Sequence, residues 1–171
     1  MARLLNEDGL DVAALTRAKE SGATLAACAE SCGGTAAERD ALIDVDCEIW
    51  IPAARPDVID GGNVGRLNTK LVAQGANIPV TVEAERHLHR GGVLCLPDFI
   101  ASAGGIICAA MEYGGASEIA AFDAIEEKMR HNVEALLSSM KETGVTPREA
   151  AFDLAETRLR RAMQTRRWAI F

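Results

Sequence analysis

Three apolar runs of this chain close on residues that could hold a flat polar ring. "EIWI" ends at Pro52-Ala53-Ala54, "LVAQ" at Gly75-Ala76-Asn77, and "VLCL" at Pro97-Asp98. In open parallel α/β sheets, ligands bind beyond the carboxyl ends of the strands. Small residues at two adjacent ends let a ring approach the backbone, and the Asn77 amide offers both a donor and an acceptor. The same residue types also make ordinary strand-to-loop turns. Spacing alone leaves both readings open.

The run Gly61-Gly62-Asn63-Val64-Gly65 resembles a phosphate-binding loop at first sight. Such a loop needs a buried strand entering it and a helix starting from it, so that free N–H groups face the pyrophosphate. Here "PAARPDVID" precedes the glycines, and "RLNTK" leaves space for a turn or two of helix. A G-x-G-x-x-G begun at Gly61 would need glycine at Asn63 and Arg66; begun at Gly62, at Val64 and Leu67. A turn with a short surface helix is expected instead.

No catalytic acid, base or nucleophile stands out. His87 and His89 are two apart on a helix and face different ways, and His131 lies on a later helix. Neither H-E-x-x-H nor G-x-S-x-G occurs, and Ser31 and Ser102 have no recognisable base partner. Glu112 and the pair Glu126-Glu127 fall in helical stretches, where they read as solvated or arginine-paired. The basic run "RLRRAMQTRR" ends a helix, where cations complement the dipole.

The elements that position these residues follow from periodicity. "LNEDGLDVAALTRAKESG" gives a turn at Asp8-Gly9 and an amphipathic helix, with Asp11 at its start, Val12 and Leu15 facing inward, and Gly22 at its end. "GGTAAERDALIDVDC" predicts a second helix, capped by Thr35 with Glu38 at capping-box spacing. "EIWIPAA", "KLVAQGAN" and "GVLCLPD" are short runs without polar alternation and read as parallel strands buried on both faces. A helix from Thr81 to Arg90 separates the last two and stops at Gly91-Gly92. Beyond Asp98 the chain reads as helical to about Leu137, interrupted at Gly104-Gly105 and Gly114-Gly115. A last helix begins with Thr146 as cap and Pro147 in the first turn. The fold class is α/β: a partial Rossmann-like parallel sheet of about three strands, flanked by helices, with a long helical C-terminal region.

Composition narrows the function. The 171 residues are 49% hydrophobic and 4% aromatic, with a net charge of -7. An acidic, aromatic-poor chain lacks the basic surface and stacking platforms of a nucleic-acid binder. No segment reaches the roughly 18 apolar residues of a membrane span, and "MARLLNEDGLD" is not a signal peptide. Five cysteines, an odd number, favour reduced and mostly buried thiols in a cytoplasm. Cys28 and Cys32 have C-x3-C spacing, but no third cysteine follows nearby to complete a metal site.

At the strand ends the chain resembles a known family. "DCEIWIPAA", "KLVAQGANIPVTVEAERHLHRGGVLCLPDFIASAGGIICAAMEY" and "LNEDGLDVAAL" are similar to the cofactor domain of the glutamate/leucine/phenylalanine/valine dehydrogenases. That family shows [AI]-P-A-A, then V-A-E-G-A-N-x-P-x-T-x-E-A, then a helix and G-[IV]-L-x-x-P-D-x-x-A-N-[AS]-G-G-V. The match runs from about Leu5 to Tyr113, within a single incomplete Rossmann-type domain over residues 1–171 whose stretch 98–171 is mainly helical.

The resemblance implies interconversion of an amino acid with its 2-oxo acid and ammonia, with hydride passed to or from NAD or NADP. It implies that Pro52, Ala53 and Ala54 line the nicotinamide ribose region, and that Asn77 contacts the nicotinamide or the substrate's polar end. It places Ser102, Gly104, Gly105 and Ala109 at the substrate pocket, with no catalytic or metal-binding residue in this stretch. The family's glycine loop, ribose-binding acid, substrate domain and catalytic lysine and aspartate all fall before this stretch, so Gly61–Gly65 is a decoy.

Two departures stand out. Ser102 replaces the Asn of A-N-A-G-G, and Ala109, beside Cys108, replaces a serine of glutamate-specific members. That alanine removes a hydrogen bond to a substrate carboxylate and argues against glutamate. Because shape selection is worth only about 1–3 kcal/mol per methylene, the amino acid stays unnamed. The expected partners are the nicotinamide cofactor, a small amino acid or 2-oxo acid, and either a missing N-terminal part or further copies of the chain. The fragment is expected to be inactive alone. The alternative is a non-catalytic interaction module that pairs with a related full-length chain across an open sheet edge.

Overall fold

The computed structural model describes residues 3–29, 33–37 and 39–165. It divides into two compact units, residues 1–46 with 66–68, and residues 47–65 with 69–171.

In the first unit, β1 (Arg3–Leu5) pairs antiparallel with β2 (Thr35–Ala37), Leu4 opposite Ala36. Helix α1 (Val12–Glu20) starts where expected, the Asp11 carboxylate accepting from the Ala14 N–H at 2.9 Å. It ends at Ser21 and Gly22, whose φ of +84° suits glycine. The four-residue α2 (Leu25–Cys28) follows, capped by Thr24.

Two expectations fail in this unit. Thr35 is not a helix cap but the first residue of β2, because its backbone pairs with Leu5, a partner far outside any local window. Only a 3-10 turn, Arg39–Asp44, forms beyond it, and Glu38 lies outside the described residues. Nor does α1 bury an inward face. Val12 is 69% exposed and Leu15 is half-buried, since α1 packs chiefly on the short α2.

The second unit holds the parallel sheet. Strands β3 (Ile49–Trp50), β4 (Leu71–Ala73) and β5 (Leu94–Leu96) lie in the order β3-β4-β5, with Ile49 opposite Leu71 and Val72 opposite Cys95. Between β3 and β4 the chain makes an isolated parallel bridge, Ile59 to Val80, and a 3-10 turn at Val64–Arg66. Helix α3 (Val82–Arg90) forms the crossover from β4 to β5, capped by the Thr81 hydroxyl and turning at Gly92 with φ +78°. Its buried residues, Ala84, Glu85 and Leu88, recur at helical spacing. Ile59, Val72, Val80, Leu88 and Cys95 are fully or nearly fully buried.

After β5 come α4 (Asp98–Ala101), α5 (Gly104–Tyr113), α6 (Glu118–Thr143) and α7 (Pro147–Thr165). The break before α5 falls at Ser102-Ala103, and Gly104 and Gly105 belong to the helix itself. Helix α6 runs past Leu137 to Thr143, because the left-handed Gly144 (φ +70°) is what stops it. Helix α7 opens with a capping box. The Thr146 hydroxyl accepts from the Glu149 N–H at 3.3 Å, and the Glu149 carboxylate accepts from the Thr146 N–H at 3.0 Å. Ile100, Leu136, Ala150 and Ala151 form a core beneath these helices, joined by Leu96, Val133 and Met140.

Of the basic run, Arg158 donates to Asn132 of α6 at 2.7 Å and Arg160 pairs with Glu156 one turn back, while Arg166 and Arg167 lie outside the described residues. The sheet flanked by helices and the long helical C-terminal region match the expected partial Rossmann-like α/β class. Among the described residues, no helix is long and apolar enough to cross a membrane.

Candidate functional site at the strand ends

Parallel pairing of β3 with β4 brings two of the expected strand ends together. The Pro52 carbonyl, on a buried residue, accepts from the Ala76 N–H at 3.0 Å, while Ala53 and Ala54 are exposed. The two backbones are close enough that a Cβ on Gly75 would lie 3.1 Å from the Ala53 Cβ and 3.3 Å from the Ile51 Cγ2. A side chain at 75 would fill the notch between them. Asn77 projects beyond it, exposed, with no hydrogen bond to its side-chain amide among the described residues.

Ile78 follows with a φ of +49°, a left-handed conformation that is rare for a β-branched residue. Its N–H donates to Asp98 Oδ2 at 3.0 Å, tying this turn to the third strand end. Asp98 Oδ1 in turn accepts from Arg148 at 3.1 Å, so the first turn of α7 reaches the same place.

Arg148 also holds Glu85 of α3 with two bonds, at 2.5 and 2.7 Å, and lies over the Phe99 ring, 5.5 Å from its centre. The Glu85 bond is the largest cause raising the Arg148 pKa above its ordinary value. Gln74, fully buried at the end of β4, donates to Glu85 Oε1 at 2.5 Å and to the Cys95 sulfur at 3.3 Å, while its own Oε1 has no partner. Burial pushes the Cys95 thiol up to about 12. Sequence reading missed this network. The available signal was Gln74, an amide closing an otherwise apolar buried run, since such a group needs partners.

The expected substrate-pocket residues lie at the end of α4 and along α5. The Ser102 hydroxyl donates to the Asp98 carbonyl at 2.6 Å and so closes α4. Gly105 and Ala109 lie one turn apart on the exposed side of α5, and a Cβ on Gly104 would lie an ordinary 3.6 Å from Ile125 Cγ2 of α6. Helix α5 packs mainly on α6, so these residues are not gathered with the notch at Gly75 by any close contact described.

The glycine run is a turn, as expected, and its chemistry opposes phosphate. Asp60 Oδ1 accepts from the Gly62 and Asn63 N–H groups at 2.8 and 3.2 Å, and a Cβ on Gly61 would touch the Glu83 carboxylate. Two acids already occupy the space an anion would need. His87 and His131 are exposed and Glu126 pairs with Arg130 at 2.6 Å. An open hollow of about 450 Å³ along α6 is lined by Asp123, Glu127, His131 and Glu134 among others, all from that one helix. Among the described residues, no group of acids, cysteines and histidines could hold a metal. Ser31 and Cys32 lie outside the described residues.

The chain matches the sequence profile of the Glutamate/Leucine/Phenylalanine/Valine dehydrogenase family over residues 1–167. It belongs to that family. It is 37% identical over 145 residues to the NADP(+)-dependent glutamate dehydrogenase of Pyrobaculum calidifontis, a match covering 80% of this chain and 34% of that protein. The structure of glutamate dehydrogenase from Peptoniphilus asaccharolyticus is similar with a TM-score of 0.72 and 26% identity, over 97% of this chain and 38% of that one. L-tryptophan dehydrogenase from Nostoc punctiforme gives a TM-score of 0.69 at 25% identity, over 91% and 44%. The chain therefore spans less than half the length of each of these relatives. The notch at Gly75 and the unengaged Asn77 amide suit a flat carboxamide-bearing ring, whereas the acid-filled glycine turn does not suit the pyrophosphate.

Proposed function

We propose that this chain is the C-terminal part of the cofactor domain of an amino-acid dehydrogenase, catalysing reversible oxidative deamination of an L-amino acid with NAD or NADP. The observation that carries this is the notch between Ala53 and Gly75, with the exposed, unengaged Asn77 beside it at the carboxyl ends of parallel strands. Pro52, Ala53 and Ala54 would form a low shelf for a nicotinamide, which would supply the hydride donor or acceptor, and Asn77 would orient it by donating and accepting at once. Ser102, Gly104, Gly105 and Ala109 border the substrate side. Among the described residues none is placed as acid or base at the strand ends, so on this reading the chain alone is silent.

The test is a chimaera in which this chain replaces the matching segment of the Pyrobaculum calidifontis enzyme. Amino-acid-dependent cofactor reduction is expected in the chimaera and none from the isolated chain, with Asn77→Ala lowering turnover by about tenfold or more through loss of a positioning contact. Unchanged kinetics in Asn77→Ala, or turnover by the isolated chain, would reject the reading.

A second reading is favoured by a separate observation. Strand β3 is an outer strand of the sheet, and Ile49 on it and Ile51 just beyond it are 55% and 63% exposed. On this reading the chain is a non-catalytic module that pairs through β3 with a related chain. Sedimentation settles the matter: a monomer that captures no related dehydrogenase chain removes its basis.

A further inference from the structure

The turn that presents Asn77 is held at both ends by one guanidinium. On its upstream side, Gln74 donates to Glu85, and Glu85 is gripped by Arg148 at 2.5 and 2.7 Å. On its downstream side, the Ile78 N–H donates to Asp98, and Asp98 accepts from the same Arg148. Gln74 and Ile78 flank Gly75, Ala76 and Asn77.

This turn requires such restraint. Ile78 holds φ +49° although its side chain is 56% exposed, so side-chain burial does not impose the conformation. Left-handed backbone is unfavourable for a β-branched residue and persists only where surrounding contacts over-determine it. Hydrogen bonds supply those contacts. The Ile78 carbonyl accepts from the Asp57 N–H at 3.0 Å, Asp57 being itself left-handed at φ +51°, and the Pro79 carbonyl accepts from Val58 and Ile59. The Asp98 carboxylate is the side-chain group that holds the Ile78 N–H. Between the two anchors the Ala76 N–H donates to the Pro52 carbonyl at 3.0 Å, and glycine at 75 leaves the backbone free to follow the anchors.

We infer that Arg148 is a positioning residue for the strand-end site: acting through Glu85 and Gln74 on one side and Asp98 and Ile78 on the other, it fixes the turn that aims Asn77 outward. The inference that this serves recognition rests on the function proposed above; the mechanical coupling does not. Arg148 sits on α7, so the last helix sets the conformation of a site to which it contributes no contacting atom.

Nuclear magnetic resonance of the ¹⁵N-labelled chain, without ligand, tests the coupling. The variants are Asp98→Asn, which keeps shape but weakens the acceptor, Arg148→Met, Arg148→Lys, and Thr146→Ala as a control that weakens the start of α7 without touching the clamp. The expected result is that Ile78 amide exchange accelerates by about tenfold or more in Asp98→Asn and Arg148→Met, as loss of a charge-assisted bond predicts. The Asn77 side-chain resonances broaden or shift in both, Arg148→Lys restores part of the effect, and Thr146→Ala leaves Ile78 and Asn77 in place. Unmoved Ile78 and Asn77 signals in Asp98→Asn would overturn the inference, even if Arg148→Met does not fold. Equal perturbation by Thr146→Ala would also overturn it, since Arg148 would then be merely structural. Titration with nicotinamide mononucleotide adds a separate reading. If wild-type Asn77 does not respond, the proposed function fails, while the ligand-free spectra still decide the clamp.

Discussion

Arg148 and Glu85 form a two-bond ion pair, 2.5 and 2.7 Å, across 63 residues of sequence. Their side chains are only 16% and 7% exposed, so removing one partner strands a charge away from water. Arg148→Met should therefore lower the unfolding free energy by about 3 kcal/mol. Urea denaturation followed by circular dichroism measures it, and a loss near zero would show the pair to be no more than a surface ion pair in effect.

The Cys95 thiol gives a prediction at alkaline pH. Its pKa is raised from 9.0 to about 12, chiefly because burial penalises the thiolate; the Gln74 amide works the other way, and the charge of Glu85 adds to the rise. A thiol raised on folding loses its proton first in the unfolded chain. Its contribution is complete below pH 9.0 and is lost as pH climbs towards about 12. Cys95→Ala should flatten the decline in stability across that window, and the native thiol should resist alkylation at neutral pH while the half-buried Cys47 and Cys108 react. Equal labelling of all three would contradict the burial argument.

The capping box of α7 predicts a pH-dependent helix start. Accepting from the Thr146 N–H and then from its hydroxyl holds the Glu149 carboxyl below its ordinary pKa of 4.5. A lowered acid stabilises above its unfolded pKa, and the increment disappears as pH falls through the folded value. Thr146→Ala should cost about 1 kcal/mol at neutral pH. Glu149→Gln should be destabilising at pH 7 and indistinguishable from wild type in strong acid. A constant difference across that range would exclude the box as its source.

Gly75 predicts a contact effect, not a conformational one, because its φ is not left-handed. Gly75→Ala places a methyl 3.1 Å from the Ala53 Cβ, and forcing the two strand ends apart should cost about 1 kcal/mol. Adding Ala53→Gly removes the nearest of those atoms and should recover most of the loss in a double-mutant cycle. Strict additivity would mean that the two strand ends do not share the notch.

How much of this was legible depends on how locally each feature is determined. The three strands were readable because "EIWI", "LVAQ" and "VLCL" are apolar without alternation, and both Asp11 and Thr146 announced helix starts through short-range capping chemistry. Thr35 carries the same local signal, yet pairing with Leu5 overrode it. The clamp was not legible, because Glu85 reads as an ordinary helix acid until a helix begun 63 residues later delivers its cation. Of the candidate site, Pro52–Ala54 and Asn77 came from strand-end position. The left-handed Ile78 that aims Asn77 carries no sequence mark, since isoleucine is among the residues least suited to it.

The dependence of the sheet on α7 bears on how the chain is made. Ribosomes release residues in order, and domains tend to fold as their segments emerge. Glu85 and Asp98 both precede their shared cation, so a nascent chain that has completed β5 still carries two acids whose counter-charge has not yet been synthesised. Until residue 148 appears, burying Glu85 against Gln74, and Asp98 against the Ile78 turn, is unfavourable. The three-stranded sheet can collapse early but can lock only late, and emergence of α7 is the step that commits it.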